Sequence, residues 1–192
     1  MNKLKFAMTL SLALVATAIG ANAQTQNVRN GITAVSLAPS FVSALTSLKV
    51  APSPLGSSQL IGTTIDFPIV GGAFDPATVT TELIHSGGLR LTAGKTVVDL
   101  RDFIIDATSA QPTITGLVIA DGQLVGRVPL FNLSISGKDV ETADGFLVYI
   151  KDVGVTLTSG AASTLNSVFK TDALTGTTKI GTATVLAIAS KE

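Results

Sequence analysis

The rarest residues set the chemistry open to this chain: one histidine, His85, one tyrosine, Tyr149, and no cysteine. A hydrolase of the Ser-His-Asp type would have to use His85, since it is the sole imidazole available as a general base. No G-x-S-x-G elbow accompanies it in Ile84-His85-Ser86-Gly87-Gly88-Leu89 or elsewhere. Most zinc and iron sites need a second histidine or a thiolate, so no metal site is expected. The plainer expectation for His85 is a strand end, its ring hydrogen-bonded across the Gly87-Gly88 turn at a surface corner. Tyr149 lies in an alternating run with Phe146, Val148 and Ile150 on one face, and Leu147, Tyr149 and Lys151 on the other. It reads as a half-exposed strand residue, although phenolate is a recognised axial ligand of haem iron.

The carboxylates offer two groupings. Asp99, Asp102 and Asp106 share a stretch with Arg101, and Asp139, Glu141 and Asp144 fall in an expected loop. Neither spacing matches a calcium-loop template, so both are read as solvated side chains, with calcium at the Asp139–Asp144 loop left open. Carboxylate pairs for glycoside hydrolysis usually work beside tryptophan and tyrosine platforms, which this chain lacks. Asn132-Leu133-Ser134 fits a glycosylation sequon, read as incidental behind a bacterial-type export signal.

These side chains must be held by something, and the pattern along the chain is mostly short apolar–polar alternation broken by turn residues. That is the signature of antiparallel β-structure. Strands are expected over 33–37, 63–69, 79–85, 89–92, 96–105, 113–120, 123–135, 145–151, 154–158 and 179–189, after a polar lead-in at 24–30. Asp121-Gly122 marks a hairpin because a type I′ turn needs positive φ at its centre. Gly71-Gly72 and Gly87-Gly88 read as similar breaks, and Ser136-Gly137-Lys138 as a looser turn. Helical spacing appears twice, over 39–48 (Phe41, Leu45, Leu48) and 160–169 (Ala162, Leu165, Phe169), with Ser159 as N-cap of the second.

The two helical stretches sit in similar surroundings. Val35-Ser36-Leu37 and then Ala44-Leu45-Thr46-Ser47-Leu48 align with Val155-Thr156-Leu157 and then Thr164-Leu165-Asn166-Ser167-Val168. With one residue of slip, Ile61-Gly62-Thr63 falls on Ile180-Gly181-Thr182. A duplicated strand–helix–loop–strand unit implies an antiparallel β-sandwich with two short helices, pseudo-twofold, one helix closing each end.

The N-terminus is an address. Lys3 and Lys5 precede an apolar run from Phe6 to Ile19, and Ala21-Asn22-Ala23 is a small-x-small cleavage site. The run is shorter than the roughly 20 residues of a membrane span. Residues 1–23 are therefore expected to be a signal peptide, and 24–192 a single secreted domain in the periplasm, at the cell surface or beyond. Losing Lys3 and Lys5 lowers 13 basic residues to 11 against 13 acidic ones. The remaining basic residues are scattered, which excludes the concentrated positive patch that nucleic acid requires. An outer-membrane barrel needs aromatic girdles, whereas aromatics are 5% here and tryptophan is absent. With no disulfides, stability must come from burial, for which 46% hydrophobic residues suffice.

Three strings resemble the HtaA-type domain of bacterial cell-surface haem-acquisition proteins. Val35 to Leu45, with Ser40-Phe41, is similar to an early strand and short helix of that family; His85-Ser86-Gly87-Gly88-Leu89 is similar to its His-x-Gly-x-Leu element; and Leu157 to Thr182 is similar to its closing Leu-Thr-x-x-Ala-Ala and Gly-Thr stretch. The resemblance implies a β-sandwich, an extracytoplasmic role and haem as cofactor. The haem-ligating tyrosine of the family falls at Ala44, which offers no ligand, and His85 alone matches the polar haem-site residues. The sequence thus reads as a non-enzymatic extracytoplasmic module with no cofactor, binding a protein, glycan or small molecule. The alternatives are an HtaA-type haem carrier with an altered site, using His85 and Tyr149, and a hydrolase centred on His85.

Overall fold

The computed structural model describes residues 25–135, 140–143 and 146–190. The expected signal peptide, the Ser136-Gly137-Lys138 turn, Asp139 and Asp144 lie outside the described residues. In chain order the elements are β1 (Gln26–Leu37), α1 (Pro39–Ser47), β2 (Ala51–Leu55), β3 (Gln59–Ile61), β4 (Thr64–Asp75), β5 (Thr80–His85) and β6 (Gly88–Ala93). Then follow β7 (Thr96–Asp106), β8 (Thr113–Ala120), β9 (Gln123–Ser134), β10 (Val140–Ala143), β11 (Leu147–Leu157), α2 (Ser159–Phe169) and β12 (Lys179–Ser190). No helix among the described residues is long and apolar enough to cross a membrane.

All pairings are antiparallel, along the path β2-β6-β7-β5-β4-β1-β12-β11-β9-β8. Because β8 pairs with β7 as well as β9, the path from β7 round to β8 closes on itself. Closure removes the open edges that a flat sheet would expose. Inward-facing residues of the closed sheet, such as Ile65, Phe74, Val98, Leu157 and Ala187, are almost completely buried and form the sandwich core. β5 and β6 run as one bent path beside β7, pairing Glu82 with Asp106 at one end and Ala93 with Thr96 at the other.

Several elements differ from the sequence reading, each for a physical reason. The polar lead-in belongs to β1, since backbone pairing of Gln26 with Phe74 and Val28 with Gly72 is indifferent to side-chain polarity. The separate strands expected over 145–151 and 154–158 are instead one strand, β11 (Leu147–Leu157), interrupted by a bulge at which Asp152 takes φ 56°. Gly71-Gly72 is no turn but lies within β4: a Cβ on Gly72, at φ 142°, would sit 2.1 Å from the Glu82 carbonyl oxygen of β5. Gly87 is a corner rather than a hairpin, where β5, paired to β4, gives way to β6, paired to β2. Its φ of 83° and the Leu55 carbonyl 2.8 Å from any added Cβ require glycine there. β2 escaped notice because Ala51-Pro52-Ser53-Pro54-Leu55 reads as a loop; at the end of the path, proline's missing donor is tolerated. Asp121 and Gly122 do form the β8–β9 hairpin, with φ of 48° and 81°.

The duplicated unit is present with a different symmetry. Leu37 N–H donates to the Thr63 carbonyl and Ala38 N–H to the Ile180 carbonyl, at 2.9 and 2.8 Å. Leu157 N–H and Thr158 N–H repeat this on the carbonyls of Thr178 and Leu130, both at 3.0 Å. Each helix therefore leaves a strand whose last residues bridge both neighbours. This register matches Ile65, not Ile61, with Ile180. β1 and β11 are both antiparallel to β12, so they run in the same direction and the units are related by a step of two strands. Both helices consequently sit on one rim instead of closing opposite ends.

Candidate functional site

His85 ends β5 and is inside the molecule, 3% exposed, rather than at a surface corner. Its partner on β4 is Ile69, and the alternation that buries Thr81 and Leu83 carries the imidazole inward with them. Nε2 is 2.8 Å from the Thr33 hydroxyl and Nδ1 is 3.2 Å from the Phe103 carbonyl oxygen. A carbonyl only accepts, so Nδ1 carries the proton; Nε2 then accepts from the Thr33 hydroxyl. Burial is the main reason the His85 pKa is pushed down to about 4, outweighing the backbone carbonyls of Phe103 and Leu83 that favour the charged ring. The ring is neutral at physiological pH and both nitrogens are engaged.

Beside it is an apolar cavity of about 70 Å³, whose walls include Phe41 of α1 and Leu165 of α2. That is far below the roughly 300–1,000 Å³ of small-molecule pockets. The aromatic side of the cavity is stiffened by Phe67 and Phe103, packed edge to face with centroids 5.1 Å apart. A polar cleft around His85 would have favoured hydrolysis; the surroundings are apolar, and no carboxylate hydrogen-bonds the ring among the described residues. Thr33 and Phe103 were not singled out from sequence, being 52 and 18 residues from His85 along the chain. The inward phase of Thr33 was nonetheless readable from Val35 and Leu37.

Tyr149 lies on the opposite surface of the sheet. It is half-buried on β11, between Glu141 of β10 and Leu186 of β12. Lys151, on the same face, is paired with Glu141, and the exposed Leu147, Leu186 and Ile188 extend the surface around the phenol. The sheet thus separates Tyr149 from His85. Ala44 is half-buried on α1 and presents only a methyl group where the resemblance calls for a phenolate.

The acidic groupings are dispersed by their strands. Asp99 receives both Arg90 Nε and Nη2, at 2.6 and 2.7 Å, which holds its carboxyl below the usual carboxylate range. Asp102, at φ 51°, occupies a β7 bulge, and its carbonyl accepts from Arg127. Asp106 binds the Thr108 backbone N–H and hydroxyl, which lowers its pKa too. Glu141 is on strand β10, not in a loop. Among the described residues no three His, Asp or Glu side chains are grouped to hold a metal ion. Asn132 of the sequon lies within β9, its amide directed at the Leu157 carbonyl.

No protein-family model matches the chain, and no curated protein matches it in sequence. Solved structures do. The C-terminal domain of HtaA from Corynebacterium glutamicum superposes with a TM-score of 0.68 at 16% identity, covering 86% of this chain and 99% of that one. The N-terminal domain of the same protein gives 0.63 at 12% identity, with 85% and 99% covered. The heme binding protein HtaB from C. glutamicum gives 0.56 at 9% identity, with 87% and 96% covered. The fold of this chain is therefore similar to that of the HtaA and HtaB domains.

Proposed function

We propose that this chain is a non-enzymatic binding module, exported by removal of residues 1–23 and working outside the cytoplasm on a protein, glycan or small molecule. The observation that carries the reading is the state of its one imidazole. His85 is neutral, buried and spent on Thr33 and Phe103, so it is neither poised as a base nor free as a ligand. Haem is the second reading, favoured by the likeness to HtaB, whose structure is described as a heme binding protein. The residues do not fit it well. Ala44 has no donor, the cavity at His85 is about 70 Å³, and Tyr149 stands on an open outer face. Haem iron needs an axial ligand in an apolar slot, oriented by a hydrogen-bonded neighbour.

Titration of haemin into the purified protein tests the two readings against each other. The expected result is a shallow absorbance change without saturation. A stoichiometric Soret shift that disappears in Tyr149→Phe or His85→Ala would overturn the first reading and establish the haem carrier.

A further inference from the structure

A second void lies on the helix rim, away from His85 and Tyr149. It is a cleft of about 350 Å³ between α2 and the β7–β8–β9 wall, within the size range of small-molecule pockets. Val98, Leu100, Val118 and Leu130 form its floor, all of them buried. Ala161 of α2 is its roof. Its lip is Val125, 56% exposed, and the half-buried Val168.

The duplication shows that the void is a local feature of one unit. Counting from Leu37 and Leu157, Ala161 stands where α1 has Phe41. The phenyl ring of Phe41 is buried in the first unit, and a methyl group replaces it in the second. The chemistry of the lining is uniform. Among the described residues no charged side chain borders the cleft, and its hydroxyls are engaged: Thr158 donates to the Pro129 carbonyl and accepts from Ala161 N–H, and Thr164 donates to the Gly160 carbonyl. A ligand with a buried charge or hydrogen-bonding group would go unpartnered there. At roughly 30 Å³ per water-sized group, the cleft takes about a dozen non-hydrogen atoms.

We infer that the α2 cleft is a binding site for an uncharged, hydrocarbon-rich small molecule of about that size. The inference rests on the binding-module reading and names where such a module binds. Decan-1-ol is a suitable probe, followed by methyl NMR shifts. The expected result is a saturable 1:1 response at Val118, Ala161 and Val168, with decanoate at least about tenfold weaker because its carboxylate loses hydration. Ala161→Phe, which copies the first unit, should abolish saturation, and Val168→Trp should do so from the lip if Ala161→Phe fails to fold. Ser43→Trp on α1 should leave it intact. Absence of saturation in the wild type, retention in a folded cleft variant, equal binding of decanoate, or shifts confined to Leu186 and Ile188 would each overturn the site. Absence of decan-1-ol binding with only a shallow, non-saturating haemin response removes the cleft alone; a stoichiometric haemin response lost in Tyr149→Phe or His85→Ala, or ester hydrolysis dependent on His85, removes the binding-module reading itself.

Discussion

The two strand–helix–strand units are built to one plan and stabilised by different means. In the first, α1 begins at Ala38-Pro39 with no side-chain cap, and proline supplies the start by fixing φ at the first helical position. In the second, α2 begins at Thr158, whose hydroxyl accepts from Ala161 N–H at 3.0 Å. Thr158, not the expected Ser159, is therefore the cap. Both helices end alike, with Lys49 and Lys170 left-handed at φ of 55° and 54°. Val50 N–H and Thr171 N–H then reach back to the carbonyls of Leu45 and Asn166. Inside, Thr33 of the first unit holds His85, and the matching Val153 of the second is simply buried. Phe41 fills the first rim position where Ala161 leaves space in the second. One backbone plan thus tolerates a polar tie or an apolar contact, a filled rim or an open one, because the strand pairing fixes the frame before the side chains are chosen.

The largest test of this comparison is leucine truncation on the two helices. Leu45 and Leu165 are both buried, at 7% and 8% exposure. Each change to alanine should cost about 2–5 kcal/mol in denaturant unfolding. Leu165 borders both voids, so it has fewer contacts to lose, and Leu165→Ala should fall toward the lower end of that range with Leu45→Ala toward the upper. The reverse order would show that the second unit is the better packed of the two.

Next in size is a pH effect at His85, the imidazole that Thr33 of the first unit holds. The unfolded chain protonates His85 near pH 6.5, the folded protein only near 4. The unfolded state therefore binds more protons in that window, and stability falls as pH drops from 6.5 to 4, by about 3 kcal/mol. Asp75, Asp99 and Asp106, whose pKa values are lowered, lose their contributions at lower pH still. Melting temperatures across the window should show the fall in the wild type and a flat profile in His85→Asn. A fall of equal size in that variant would place the sensitivity elsewhere.

The smallest effect belongs to the second unit. Thr158→Ala removes the α2 cap and should cost about 1 kcal/mol. Thr158→Ser should restore most of it, since the cap needs only the hydroxyl. A neutral Thr158→Ala would mean that α2, like α1, is held by its packing alone.

Much of this architecture was legible from local pattern. Alternation located most of the strands, Asp121-Gly122 the hairpin, and the apolar spacing both helices, because side-chain period and turn sterics act over a few residues. The duplication was legible as well, through Val35-Ser36-Leu37 and Val155-Thr156-Leu157. The site was much less so. His85 looked like a corner residue because a Gly-Gly pair follows it, yet Gly87 turns the chain around a buried edge instead of into solvent.

What the sequence determined by itself is therefore the covalent and local part: β-strands with two short helices, one imidazole, one phenol and no thiol. Tertiary structure alone decided how these meet. Closure of β8 onto β7 chose which sheet face became interior, and so put His85 and Tyr149 on opposite sides of one sheet. The common direction of β1 and β11 placed both helices on one rim, where the exchange of Phe41 for Ala161 leaves a cleft. Those outcomes depend on pairings between residues far apart in the chain, and strand register is a long-range property that no local window contains.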